Sequence, residues 1–126
     1  MRNAMLVLAS LLTLFVTATA STRGYDKAKV ERYTHEAEIY TKQADGFERE
    51  ALYYTRQAQK HMKQAEYYSK RNNDTQAIAH MRCSKEASDK AALRTKKAIE
   101  SREKARLRMK WAEDELKKKS YSARAR

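Results

Sequence analysis

The sequence contains no proline, only two glycines (Gly24 and Gly46) and a single cysteine, Cys83. Each scarcity excludes something. Strand-rich sandwiches and barrels need turn residues every eight to twelve positions or so, and this chain supplies almost none. A phosphate-cradling loop needs glycines a few residues apart, whereas these two are widely separated. One cysteine can form no intrachain disulfide and no zinc ribbon. At 126 residues the chain has room for one small domain. What it does have is charge: 28 lysines and arginines against 16 acids, a formal net charge of +12.

The N-terminus reads as a secretory signal. Arg2 precedes an apolar run, Met5–Val16, broken only by Ser10 and Thr13, and Ala18-Thr19-Ala20 gives the small-x-small pattern of a signal-peptidase site. The run is shorter than the ~20 apolar residues of a membrane span. Residues 1–20 are therefore expected to be removed, giving a secreted, extracellular protein. Loss of Arg2 leaves 27 basic against 16 acidic residues, or +11. In an oxidising compartment Cys83 is a candidate for an intermolecular disulfide, against the plainer reading of a small residue on a helix face.

The mature chain predicts an all-α fold. Alanine recurs every seventh residue at 37, 44, 51, 58 and 65, and after a polar cluster small residues resume the spacing at Ala77, Ser84, Ala91, Ala98, Ala105 and Ala112. Seven-residue spacing keeps one helix face and implies a left-handed supercoil. The two series mirror each other: 65 with 77, 58 with 84, 51 with 91, 44 with 98 and 37 with 105 all sum to 142. That relation predicts an antiparallel, alanine-seamed coiled-coil hairpin, whose small side chains allow close backbone approach. The expected bounds are a helix at 25–70, a turn at 71–74, a helix at 75–119 and a basic tail at 120–126.

With alanine as position a, the first helix places Tyr33, Tyr40, Phe47, Tyr54, His61 and Tyr68 at d, and His35, Lys42, Arg49, Arg56, Lys63 and Lys70 at f. The second helix is less regular. Its apolar residues are expected beside the seam at e (Met81, Met109, Leu116) and b (Ile78, Ala92, Ile99). Acid-to-base pairs four residues apart, such as Asp45–Arg49, Glu86–Lys90 and Glu100–Lys104, run in the favourable orientation. Ile39, Tyr53, Tyr67, Leu93, Leu107 and Trp111 lie off the seam and offer a face for homo-oligomerisation.

Candidate chemistry is sparse. Asn73-Asp74-Thr75 is an N-glycosylation acceptor at the expected tip. His61, His80 and Cys83 share a flank, but no fourth ligand completes a metal set, so neither metal nor cofactor is assigned. No glycine-shaped oxyanion loop or nucleophile elbow is present, and a two-helix rod offers no concave pocket, so no enzyme activity is expected. The positive excess, concentrated on the second helix and tail, predicts anion binding through Lys97, Lys104, Lys117, Lys118, Lys119, Arg124 and Arg126. Partners of that chemistry are an anionic extracellular polymer, an acidic protein or an anionic membrane surface; secretion argues against nucleic acid. The expected role is a non-enzymatic structural or interaction component of an extracellular matrix or secretion. The alternative is a membrane-active basic protein, antimicrobial or cytolytic.

Overall fold

The computed structural model describes residues 25–124, with side chains to residue 118. The predicted signal peptide lies outside the described residues. Two long helices, α1 (Lys27–Lys70) and α2 (Asp74–Arg124), pack against each other as a hairpin. At ~1.5 Å per residue they are about 66 and 76 Å long. No helix of the described residues is long and apolar enough to cross a membrane.

The helix ends follow from local chemistry. α1 begins at Lys27, slightly later than expected, because Asp26 is extended and its carboxylate accepts from the Lys29 N–H at 3.2 Å. It ends where Asn72 takes a left-handed φ of 57°. The Asn72 N–H then donates to the Ser69 carbonyl and the Asn73 N–H to the Tyr68 carbonyl. This is the Schellman arrangement, with asparagine in the place usually taken by glycine. Asn73 caps α2 at once, its side-chain oxygen accepting from the Gln76 N–H at 3.3 Å. The turn is thus one residue shorter than predicted. α2 continues to Arg124, past the expected end at Lys119, because nothing between those residues breaks a helix.

The interior is made of small side chains. Ala37, Ala44, Ala51, Ala58 and Ala65 of α1 are buried, and Val30 extends their spacing by one more repeat. On α2 the buried residues are Ala77, Ser84, Ala91, Ala98, Ala105 and Ala112, joined by Ala87 and Ser101. Contacts between the helices step in opposite directions along the chain. His61 meets His80, Ser84 Oγ donates to the Ala58 carbonyl at 2.9 Å, Glu36 meets Arg108, and Tyr33 meets Trp111. Among the described residues no large side chain is fully buried.

Two expectations for α2 need correction. Ile78 and Ile99, placed beside the seam from their spacing, are 50% and 60% exposed, and Met81 is also exposed. The interior flank is instead Ala87 and Ser101, which share their heptad position with His80, Arg94 and Arg108, the residues that meet rings of α1.

Candidate interaction surface

The aromatic row of α1 lies along one flank of the hairpin, and the cations of α2 cover it. Lys90 Nζ is 5.6 Å from the Tyr54 ring centre, Lys97 is 5.8 Å from Phe47, and Lys104 is 5.6 Å from Tyr40. Arg94 lies over Tyr54 at 5.9 Å, while Arg108 lies over Tyr40 at 5.4 Å and Trp111 at 4.3 Å. These are cation–π distances, each contributing roughly 0.5–1 kcal/mol at exposed sites. Seven-residue spacing on both helices turns single contacts into a ladder.

The arginines of α2 also hold the carboxylates of α1. Arg94 pairs with Glu50, and Arg108 Nε donates to Glu36 at 2.6 Å. On the other flank Arg102 donates to Asp45 at 3.1 Å and to Glu48 at 3.0 Å. Partial burial works against the Arg102 charge, but the hydrogen bonds and charges of Glu48 and then Asp45 outweigh it, and its pKa is raised. Asp45 therefore serves the opposite helix rather than Arg49. Likewise Lys90 and Lys104, expected to pair with acids four residues back, lie over rings.

The predicted anion-binding residues separate into three groups. Lys97 is half-buried and Lys104 exposed, both in the cation–π ladder. Lys117 and Lys118 are exposed beside Tyr33 and Trp111, in an open cleft that also holds Asp114 and Glu115. The side chains of Lys119 and Arg124 and all of Arg126 lie outside the described residues. Asn73 is exposed at the hairpin tip, and Cys83 is an exposed free thiol.

Of the histidine–cysteine constellation, two members come together. His61 Nδ1 and His80 Nδ1 are 3.1 Å apart, with Tyr68 stacked on His80 at 5.4 Å. The ring centres are also 5.4 Å apart. One ring radius on each side of the contact accounts for that whole separation, so the imidazoles meet edge to edge and one nitrogen donates to the other. Among the described residues no group of three metal-ligating side chains is assembled.

Arg94, Arg102 and Arg108 were not singled out by their spacing. The mirror relation itself offered a signal, since Arg94 and Arg108 fall within two residues of Glu50 and Glu36 once the helices fold back. No family model, curated protein or solved structure matches the chain.

Proposed function

We propose that the protein is a secreted, non-enzymatic coiled-coil subunit of an extracellular matrix or secretion, which self-associates and binds anionic partners. Its hairpin is antiparallel and alanine-seamed, with 58 facing 84 and the remaining pairs following the same mirror relation. One observation carries the reading: the interior is nearly all alanine, while the large apolar side chains face outward. Leu52, Tyr53, Tyr67, Leu93, Ile99 and Trp111 are each more than two-fifths exposed. A thin rod that buries only methyl groups gains little from folding alone, and a second copy would cover what it leaves in water.

Four threonines support such packing. The hydroxyls of Thr34, Thr41, Thr55 and Thr95 donate to carbonyls four residues back, on Val30, Ala37, Ala51 and Ala91. Their polar atoms are thereby satisfied, leaving methyl groups for a neighbouring helix. The test is sedimentation equilibrium of the mature chain carrying Cys83→Ser, which removes disulfide linkage. Dimers or larger species at micromolar concentration are expected; monomer throughout would reject self-association.

The rival, disruption of anionic membranes, is favoured by Leu52, Tyr53, Met62 and Tyr67 standing exposed near Arg56 and Lys63. Leakage of dye from anionic vesicles at micromolar protein would decide for it.

A further inference from the structure

The partners found by α2's cations change where anion binding belongs. Arg94, Arg102 and Arg108 face carboxylates of α1, and Lys90, Lys97 and Lys104 face its rings. A polyanion that recruited them would compete with contacts already made. The outer face of α1 carries no such cost. Lys42, Arg49, Arg56, Lys63 and Lys70 recur every seventh residue, and all five are exposed. Position f lies opposite the buried alanines, so the row points directly away from α2. None of the five side chains has an ion-pair or ring partner among the described residues.

Local charges concentrate the field in the middle of this row. A helical side chain meets neighbours three and four residues away. Lys42 has Glu38 and Asp45 there, and Lys63 and Lys70 have Glu66. Arg49 has only Asp45, and that carboxylate is held by Arg102 across the hairpin. Arg56 has no acid at all in reach, and Lys60 stands four residues on. Arg49, Arg56 and Lys60 thus have no acid left to themselves, and with Lys63, which shares Glu66 with Lys70, they form a strip about 21 Å long on one helix. Exposed Tyr53 lies between Arg49 and Arg56.

We infer that the outer face of α1, centred on Arg49, Arg56, Lys60 and Lys63, is a binding strip for a linear sulfated or carboxylated polysaccharide. A stiff row of cations at about 10.5 Å intervals matches an extended chain of fixed negative charges. Each contact releases counterions, so binding is steeply salt-dependent and multivalent. The large apolar side chains exposed along the strip are Leu52, Tyr53 and Met62, too little apolar surface for burial in lipid, which favours the polymer over a membrane. The inference rests on the anion-binding reading of the protein and moves its centre from α2 and the tail to α1.

The experiment uses the mature chain with dextran sulfate as probe, at several salt concentrations. One variant carries R49Q, R56Q, K60Q and K63Q; a second carries K117Q, K118Q, K119Q and R124Q. Each removes four positive charges, so net charge is matched. The strip variant is expected to bind about tenfold more weakly or worse, with a shallower salt dependence, while the tail variant loses less. Loss confined to the tail variant, or equal loss in both, overturns the α1 assignment while leaving anion binding intact. No binding by the unmodified chain overturns both. Binding to phosphatidylserine vesicles but not to dextran sulfate overturns the polysaccharide. Circular dichroism checks that both variants stay helical; should the strip variant unfold, R56E alone must weaken binding, or the inference fails.

Discussion

On α2, the cations at 90, 94, 97, 102, 104 and 108 meet carboxylates or rings of α1. On α1, those at 42, 49, 56, 63 and 70 are exposed and have no ion-pair or ring partner among the described residues. The two sets are of the same residue types and are used differently, because they fall on different faces of their helices. A cation one position before a seam residue, or three or four after it, lies over the partner's flank, where its long stem can pack and its head can find an acid or a ring. A cation at position f has no partner within reach on the other helix. Net charge per helix is therefore a poor guide to a contact surface in a hairpin. What counts is the charge left after the helices have satisfied each other.

The comparison can be broken at the seam first. Ala44 is fully buried on α1 and Ala98 nearly so on α2. Leucine at either position forces the backbones apart, at a cost of about 1–3 kcal/mol. Thermal unfolding of Ala44→Leu and Ala98→Leu should show similar losses. A variant that melts as the unmodified protein does would mean that its helix does not face the other there.

The caps should be next in size. Asn73→Ala removes the acceptor for Gln76 and Asp26→Ala that for Lys29, each costing about 1 kcal/mol. Denaturant midpoints read the effect, and the Asn73 change should be the more damaging, since it also touches the turn that joins the helices.

A smaller effect separates the two sets of cations. Arg102→Ala loses two carboxylate partners at a partly exposed site, and about 1 kcal/mol or less is expected, diminishing with added salt. Arg49→Ala should leave stability unchanged in the same denaturation series. Equal losses would contradict the division between facing and outward charge. Smallest of all, Lys104→Met removes a cation from the Tyr40 ring while keeping the stem, for about 0.5 kcal/mol. A double-mutant cycle with Tyr40→Leu would isolate it, and a coupling indistinguishable from zero would remove that rung from the ladder.

The helical architecture was legible in the sequence for a simple reason. Backbone punctuation and side-chain size are properties of single residues, so the absence of proline and the spacing of Ala37 to Ala65 carry straight into helix and buried face. The left-handed turn was less legible, because Asn72 does there what glycine usually does. Ala87 and Ser101 were missed for a different reason: they lie outside the seven-residue alanine series, and only the packing of the two helices shows that they are buried. The ion pairs were hidden longest. Asp45 has Arg49 four residues on and Arg102 across the hairpin, and the sequence favours the near partner. In three dimensions Arg102 reaches both Asp45 and Glu48, and two acceptors outweigh one. The candidate surface shifted to α1 as a result.

The most direct test of the hairpin register uses the side chain of one helix that bonds the backbone of the other. Ser84 Oγ and the Ala58 carbonyl are 2.9 Å apart, which brings the two backbones within disulfide range. Oxidation of the chain carrying Ala58→Cys, Ser84→Cys and Cys83→Ser should close an intrachain disulfide rapidly, seen as a mobility shift reversed by reductant. A control pairing Ala58→Cys with Ala98→Cys should not close. Failure of the first to link within one chain, or equal linking in the control, would contradict the mirror register on which the sorting of charge depends.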